Sequence, residues 1–249
     1  QRDYWYTSSR DANELEAPDA VGRKAAERTL RRLGGRQIET CKVPVLYAAE
    51  IAPSLIGHFT GAVSGGALYR KASFLLDALD TQVFPAGLRI HEQPRLPGAI
   101  GSAPFDGEGV ATSDRDLITD GILQGYILSS YSARKLGLQT TGNAGGVRNL
   151  TVEGPSTDFE ALLEQLGTGL YLTELIGMGV NGVTGDYSRG ASGFWVEDGE
   201  LAYPVEEITV AGNLKDMYQH IVGLGTDVDT RGNTRSGSIL IEEMTVAGA

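Results

Sequence analysis

Side chains that bind metals or form disulfides are scarce in this chain. Its 249 residues include one cysteine, Cys41, and three histidines, His58, His91 and His220. A single cysteine excludes an internal disulfide framework and is typical of a reducing compartment. No two histidines lie three to five residues apart, and neither HExxH nor CxxC occurs, so there is no local metal motif. A metal site would have to be assembled by the fold.

Basic charge is also limited. The chain has 21 lysines and arginines against 32 acidic residues, a formal charge of −11 and a pI near 4.8. Because capture of a phosphate backbone needs a concentrated basic surface, nucleic acid is a poor candidate for a partner. The arginines between residues 23 and 36 fall in a predicted amphipathic helix and are interpreted as a solvated face.

Long apolar runs are absent from the sequence. None reaches the roughly 18 residues of a membrane span, and the opening residues lack a signal-peptide pattern. We therefore predict a soluble, cytoplasmic protein without a membrane partner. The chain opens at Gln1 within RDYWYTSSRD, which is typical of folded sequence, so we expect an N-terminal portion to precede it.

Local signals are strongest in residues 184–217, TGDYSRGASGFWVEDGELAYPVEEITVAGNLKDM. Two runs of β-forming residues flank Asp198-Gly199, a dipeptide that tolerates the positive φ angles of a two-residue hairpin turn. A third strand is predicted at residues 207–211, after a break at Pro204. Asn213 is then predicted to cap a helix over residues 214–222. The glycines at 185, 190 and 193 predict a loop that bends sharply or approaches another surface closely.

The rest of the chain alternates short helices and strands. A second hairpin is predicted to turn on Asp120-Gly121, and Pro44 places a bulge or an edge position in the first strand. Helices are predicted at residues 18–33, 53–63, 130–136 and 158–166, and strands at 42–48, 151–153, 169–176 and 236–246, with short strands within 73–91 and a Pro/Gly-rich connection at 92–109. Tight turns between strands, with helices in separate blocks, predict an α+β fold with mainly antiparallel sheet and a few packed helices.

Several motifs that could carry chemistry have simpler interpretations. Residues 177–182, GMGVNG, fit GxGxxG after a strand, but the following VTGDYSRG is too rich in turn residues for the helix that a dinucleotide site needs. A glycine-rich strand or bulge is the better interpretation. Ser64, Ser188 and Ser192 lie near glycines without matching the GxSxG elbow. Asn149 opens a glycosylation sequon that is interpreted as a strand start.

The remaining candidates are polar residues near glycines. Asp186 and Arg189 could hold a peptide backbone or a carboxylate, or could form a purely structural ion pair. Residues 69–71 could face a groove or merely cap a helix. The candidate substrate-binding residues are therefore Asp186, Tyr187, Ser188, Arg189, Tyr69 and Arg70.

Long segments of the chain resemble one protein family. GAVSGGALYRKASFLLDAL, PFDGEGVATSDRDLITDGIL, SYSARKLGLQTTGNAGG, the 184–217 stretch and RSGSILIEEMTVAG, in this order, are similar to the C-terminal part of the TldD/PmbA family, on its PmbA branch, also called TldE. The resemblance covers essentially the whole chain. It implies a barrel-like C-terminal domain at residues 41–249, with residues 1–40 ending a preceding N-terminal domain.

The family resemblance also implies a function. Members form a heterodimer of TldD-like and TldE-like subunits, a cytoplasmic metalloprotease of unfolded peptides. They are associated with leader-peptide removal, antitoxin degradation and, in an older name, modulation of DNA gyrase. The zinc subunit carries HExxxH in the segment that resembles residues 57–62.

Alignment on Arg70-Lys71 places the two histidines of that motif at Gly57 and Ala62 and its glutamate at His58. Without two imidazoles and the carboxylate, zinc is not held there and no water is activated. The resemblance therefore implies that this chain is the non-catalytic partner and carries no metal, with zinc in the TldD-like subunit.

The role left to such a subunit is assembly and substrate handling. Exposed strand edges could extend a bound peptide as an added strand, a mode that tolerates many sequences, and the predicted loop at 185–193 is the second candidate surface. Two alternatives stay open: an autonomous hydrolase with a site assembled by the fold, and a regulatory binding protein of the gyrase-modulator kind. A homodimer in the absence of the partner also stays open.

Overall fold

The computed structural model describes residues 1–248, and its architecture is α+β, as predicted. The helices are α1 (Pro18–Arg31), α2 (Ala52–Ala62), α3 (Gly65–Tyr69), α4 (Ser130–Leu136), α5 (Phe159–Leu166) and α6 (Leu214–Gln219), after a 3-10 turn at Ala12–Glu14. The strands are β1 (Cys41–Tyr47), β2 (Arg89–Glu92), β3 (Arg115–Thr119), β4 (Ile122–Leu123), β5 (Leu150–Glu153), β6 (Ser156–Thr157), β7 (Gly169–Ile176), β8 (Asp186–Glu197), β9 (Glu200–Asn213), β10 (Ile221–Gly225), β11 (Thr234–Arg235) and β12 (Ile239–Ala247). Within the described residues, no helix combines the length and apolarity needed to cross a membrane.

Five strands close into a barrel, which confirms the barrel-like expectation. The ring runs β1-β7-β8-β9-β12 and returns to β1, with β1 and β7 parallel and the other pairs antiparallel. The first residues of β12 also pair with β10, which carries β6 as an outer strand, whereas its last residues pair with β9. A second sheet of five strands has the order β11-β5-β2-β3-β4.

The predicted hairpins form. Asp198 and Gly199 have φ angles of 51° and 80° between β8 and β9, and Asp120 and Gly121 have 51° and 75° between β3 and β4. The left-handed backbone at both central positions matches the twist of the flanking strands, which is why Asp-Gly is favoured there. Pro44 lies at a register shift within β1, the bulge that its missing N–H predicts.

The predicted break at Pro204 is wrong, because β9 continues through it. The Pro204 carbonyl accepts a hydrogen bond from the Arg36 N–H at 3.0 Å, so this residue's backbone faces away from β8 and its missing N–H costs no ladder bond. The irregularity comes three residues later. Glu207 has a φ of 54°, and two residues of β9 oppose one residue of β8 there, which makes a bulge rather than a strand end.

The loop predicted at residues 185–193 is also wrong, since residues 186–197 form β8. The close-approach half of that prediction holds. A Cβ on Gly193 would lie 2.1 Å from the Tyr171 carbonyl oxygen of β7, so only glycine lets the two backbones pair at this point. Gly193 therefore permits tight strand pairing, whereas Gly185, with a φ of 86°, lies in the turn before β8.

Two other predicted segments differ. Residues 73–91 were expected to hold short strands, but only β2 forms, because Asp77 and Asp80 adopt φ angles near 58° and 59° that extended backbone does not allow. The helix capped by Asn213 ends at Gln219, since residues 221–225 pair with β12 as β10. The predicted α4 has the expected bounds, and Gly137 closes it with a φ of 70°.

Helix α2 lies in the main core. Phe59 is fully buried and meets Phe84 and Tyr218 edge-on, with ring centroids 5.2 and 6.4 Å away. The Tyr218 hydroxyl donates a 2.8 Å hydrogen bond to the Leu55 carbonyl, which ties α6 to α2. The apolar face of α2 is thereby fixed against the core, and the opposite face, with Gly57 and His58, is left for the surface.

The first 40 residues pack on the barrel. Trp5 is covered by the Lys24 ammonium and the Arg231 guanidinium, each 3.8 Å from its ring centroid. Arg28 of α1 and Arg32, the residue that follows α1, reach Asp3 at 3.3 and 3.7 Å. This packing brings the N-terminal segment and α1 beside α2 and β7, where it closes one side of the cavity described next. The domain boundary at residue 40 stays a prediction.

Candidate functional site

A cavity of about 650 Å³, here named the arginine cavity, lies between the N-terminal segment, α1, α2 and β7. Its lining residues are Arg2, Asp3, Tyr4, Arg28, Arg32, Glu50, Ile51, Ser54, Thr173, Glu174, Leu175 and Arg189. Four arginines against three carboxylates leave one formal positive charge in a chain whose net charge is −11. The arginine cavity is therefore suited to an anionic group.

The carboxylates of the arginine cavity are already paired. Arg28 binds Glu50 at 2.8 Å, Arg32 binds Glu174, and both arginines contact Asp3. Arg189 forms no ion pair with any residue between 1 and 248. Its half-buried guanidinium, like that of the exposed Arg2, thus has no counter-ion in the described part of the chain.

A smaller cavity of about 270 Å³, the α2 cavity, lies on the other side of Arg189. It is lined by Gly57, His58, Gly61, Ala62, Ala72, Phe74, Met178, Val180, Gly182, Arg189 and Leu214. The three positions that the family resemblance aligned with HExxxH all face this one space. They supply one imidazole and no carboxylate.

These residues do not fit a zinc ion. Zinc sites in proteins use three or four nitrogen, sulfur or carboxylate ligands, and a lone imidazole falls short of that number. Among residues 1–248, no group of three or more His, Cys, Asp and Glu side chains is arranged to hold a metal. His91 instead lies 2.6 Å from Asp116, and His220 lies beside the Asp216 carbonyl.

Between the two cavities, polar side chains of α2 and β8 meet. The rings of His58 and Tyr187 lie edge to face, 5.9 Å apart, and Arg189 lines both cavities beside them. Burial lowers the pKa of His58, and the charge of Arg189 lowers it further. Burial raises the pKa of Tyr187, although the adjoining Tyr47 hydroxyl and Arg189 act in the opposite direction.

Four polar atoms in this region are buried without a hydrogen-bond partner in the described part of the chain. They are Ser54 Oγ, His58 Nε2, Tyr187 OH and Arg189 Nε. Ser54 and His58 share one face of α2 at a spacing of four residues, and Tyr187 and Arg189 share one face of β8 at a spacing of two. Periodicity thus groups them as two pairs, which meet through the His58–Tyr187 ring contact and the shared cavity lining of Ser54 and Arg189.

The predicted pair of Asp186 and Arg189 does not form. Alternation along β8 puts Asp186 and Ser188 on the opposite face from Arg189. Asp186 accepts from the Thr184 hydroxyl at 2.6 Å and from the Asn213 amide at 3.2 Å. The structure thus places Arg189 on the lining of both cavities, keeps Tyr187 buried behind them, and leaves Asp186 and Ser188 exposed outside them.

Tyr69 and Arg70 lie elsewhere, at the end of α3. The Arg70 guanidinium is 5.4 Å from the Tyr69 ring, and that ring meets Tyr131 of α4 at 5.8 Å. Neither residue lines the arginine cavity or the α2 cavity. Sequence reasoning missed Ser54 as a companion of His58, although their four-residue spacing on a predicted helix is a signal for it.

The segment 177–185 is a loop between β7 and β8, so the GxGxxG match opens no helix, as interpreted. It folds back on β8, with the Ser188 N–H donating to the Gly179 carbonyl at 2.7 Å. Met178, at its tip, is 93% exposed at the mouth of the α2 cavity.

One edge of β7 opens onto the arginine cavity. Within β7, only Leu170, Tyr171 and Leu172 pair with β1, and beyond them no strand within residues 1–248 pairs with β7 on the side away from β8. Thr173, Glu174 and Leu175 line the cavity along this edge. An unpaired strand edge beside a cavity is able to take up an extended peptide.

The lowered pKa of His58 predicts a pH-dependent stability. Because the unfolded chain binds a proton near the ordinary pKa of 6.5 and the folded chain resists it, His58 stabilises the fold fully above about pH 6.5. We expect the free energy of unfolding to fall as pH decreases from 6.5 toward the lower folded-state pKa. Urea unfolding of the protein and of His58→Phe across pH 5 to 8 measures this.

The variant is expected to have a flatter pH profile than the unmodified protein. His220→Gln, at an exposed histidine, is the matched control and should keep the original slope. Parallel profiles for the protein and His58→Phe would contradict the assignment.

Comparison with known proteins places these features in a family. Residues 40–248 match the protein family described as the PmbA/TldA metallopeptidase C-terminal domain. Metalloprotease PmbA of Escherichia coli O157:H7 is 54% identical over 248 residues, which are 100% of this chain and 55% of that protein. The metalloprotease PmbA homolog of Haemophilus influenzae is 49% identical over 249 residues, with 100% and 55% covered. The chain spans about half the length of the curated relatives it matches.

Solved structures share the fold. A proposed modulator of DNA gyrase from Bacteroides thetaiotaomicron superposes with a TM-score of 0.93 at 32% identity, over 99% of this chain and 56% of that one. A second such protein, from Thermotoga maritima, gives 0.91 at 35% identity, with 99% and 59% covered. TldE from Thermococcus kodakarensis superposes with a TM-score of 0.76 at 20% identity, over 92% of this chain and 55% of that one. At that identity the likeness is one of fold only. The resemblance seen in the sequence is confirmed: this chain belongs to the TldD/PmbA metallopeptidase family, on its PmbA branch, and matches that family's C-terminal domain.

Proposed function

We propose that this chain is the non-catalytic, TldE-like subunit of a cytoplasmic TldD/TldE metallopeptidase that cleaves unfolded peptides. The TldD-like partner carries the zinc, and this chain contributes assembly and peptide binding. Leader segments of modified peptides and antitoxins are the substrate classes that the family resemblance implies. Residues 41–249 form the family's C-terminal domain in this proposal, and residues 1–40 end the domain before it.

The observation that carries the proposal is the α2 cavity. A zinc peptidase needs ligands to hold the ion and a carboxylate to take a proton from the attacking water. At the aligned positions, Gly57 and Ala62 offer no ligand and His58 offers no carboxylate. The space beside α2 is retained while the chemistry of the donor set is missing, which favours a binding role over a catalytic one.

Peptide handling is supported by the arginine cavity. The open edge of β7 supplies backbone groups for an extended chain, and backbone pairing is tolerant of sequence. Arg189 adds a positive charge under that edge. Four of the candidate residues lie outside both cavities: Asp186, Ser188, Tyr69 and Arg70. They would contact only those parts of a peptide that extend beyond the cavities.

The test is metal content together with cleavage of an unfolded peptide, on the purified protein alone, on a TldD-like subunit alone and on their mixture. We expect zinc to follow the TldD-like subunit and cleavage to require it. Stoichiometric zinc in this protein, or cleavage by it alone, would contradict the proposal and support an autonomous hydrolase. Size-exclusion chromatography of the same samples shows whether a heterodimer replaces a homodimer.

A second candidate is a regulatory binding protein, favoured by the description of two neighbouring structures as proposed modulators of DNA gyrase. In that case the protein binds its target without a peptidase partner. Net acidity makes the protein surface of the gyrase, rather than its DNA, the expected contact. Binding of purified gyrase by this protein alone, together with no effect on peptide cleavage in the mixture, would favour this candidate.

A further inference from the structure

We propose that Arg189, with His58 and Tyr187, forms a receptor for a peptide carboxylate at the boundary of the two cavities. The inference rests on the proposed function, because it names the chemical group of the peptide that this subunit recognises. The inference adds to the proposed function a defined binding site and a class of ligand, the carboxylate.

The first argument is the set of unpaired donors. His58 Nε2 and Arg189 Nε are buried atoms without a hydrogen-bond partner within residues 1–248, and the Tyr187 hydroxyl, in a side chain that is 1% exposed, adjoins Arg189. Leaving a buried donor unpaired destabilises the protein, and more so when the donor is charged. The Arg189 Nε–H can only donate, so the missing group is an acceptor.

The second argument is charge. Arg189 has no counter-ion in the described residues, whereas Asp3, Glu50 and Glu174 are already held by Arg28 and Arg32. A cationic ligand would be repelled by this guanidinium. A carboxylate matches it, because its two oxygens fit the planar donor fork of arginine.

The third argument is position. Arg189 lines both cavities, so its guanidinium is reached from the arginine cavity, where the free edge of β7 would hold an extended peptide, and from the α2 cavity. A peptide paired with residues 173–175 would run past Arg189. The carboxylate is then that of the chain terminus or of an Asp or Glu side chain of the peptide.

The experiment measures binding of one fluorescent model peptide, in its free-acid and C-terminally amidated forms, to this protein without the partner subunit. The unmodified protein is expected to bind the free acid at least about tenfold more tightly, the scale of a charge-assisted hydrogen-bonded pair. Arg189→Met is expected to bind both forms at the weaker level. Tyr187→Phe, which removes only the hydroxyl, is expected to lose part of the preference.

Arg134→Met is the matched control, since Arg134 is exposed on α4 and lines neither cavity, and it should keep the full preference. Thermal unfolding of each variant verifies that it is folded. If Arg189→Met does not fold, Arg189→Lys, which keeps the charge, provides a second test. An amidated peptide with a glutamate at its last position shows whether a side chain can supply the carboxylate.

The outcomes separate this inference from the proposed function. Equal binding of the acid and amide forms by the unmodified protein would overturn the carboxylate receptor and leave peptide binding intact. No binding of either form would instead count against the peptide-binding role itself. A preference that survives Arg189→Met would place the carboxylate elsewhere and also overturn the inference.

Discussion

Replacing Phe59 with alanine is expected to lower the free energy of unfolding by about 3–5 kcal/mol, the range for removing a buried aromatic side chain from a packed core. Phe59 is fully buried and makes edge-on contacts with Phe84 and Tyr218. The ring therefore joins α2 to α6 and to the loop before β2. Its loss leaves a cavity at the point where these elements meet, and urea unfolding followed by circular dichroism measures the effect.

Phe105→Ala is the matched control for Phe59→Ala. It removes the same side chain from a position that is 59% exposed, so the expected change is within about 0.5 kcal/mol. Because α2 also carries His58, we expect Phe59→Ala to weaken peptide binding as well. Equal losses of stability in the two variants would show that the core does not centre on α2.

Replacing Arg115 with methionine is expected to lower the free energy of unfolding by about 3 kcal/mol or more, because it leaves a buried charged side chain without its ion-pair partner. The partner is Glu92, which is 2% exposed and accepts from Arg115 Nε at 3.0 Å through one oxygen. Its other oxygen accepts from the Asn143 amide and the Arg148 N–H, each at 2.8 Å. Removing the guanidinium leaves the Glu92 carboxylate buried between β2 and β3 without a positive partner.

The double variant Glu92→Gln/Arg115→Met separates the lost contact from the stranded charge. The glutamine oxygen can still accept from Asn143 and Arg148, while its amide group takes the place of the oxygen that faced Arg115. We expect the double variant to be more stable than Arg115→Met alone, as coupled residues in a double-mutant cycle are. Simple addition of the two single losses would contradict a stranded charge as the cause.

Local structure was predictable where one residue type decides the backbone. Asp198-Gly199 and Asp120-Gly121 specify hairpin turns through their left-handed backbone, and Gly137 ends α4 in the same way. Asn213 caps α6 by accepting from the Lys215 N–H. Each of these effects acts within four residues, so the sequence alone contains it.

Structure that depends on distant partners was not predictable. Nothing near Gly193 shows that the β7 backbone will lie against it, so the glycines of β8 suggested a loop. Likewise, Pro204 was predicted to break β9 because the strand's second neighbour, Arg36, could not be known. Pairing supplied by another part of the chain decided both cases.

The candidate site shows the same limit. The family resemblance identified positions 57, 58 and 62, and the structure places all three on one cavity. The Asp186–Arg189 pair was wrong because spacing along the sequence suggested proximity, whereas the two-residue period of β8 sends the two side chains to opposite faces. The same two-residue period places Tyr187 on the face of β8 that carries Arg189.

The closed barrel has a consequence for the order in which the protein is made. Cys41 of β1 pairs with Val246 of β12, so one wall of the ring is synthesised about 200 residues before the strand that covers it. At about 5–20 residues per second, β1 waits on the order of 10–40 s on the ribosome with an open edge. An unpaired edge is a template for mispairing. The newly made chain is therefore most exposed to aggregation and to chaperone capture just before β12 emerges.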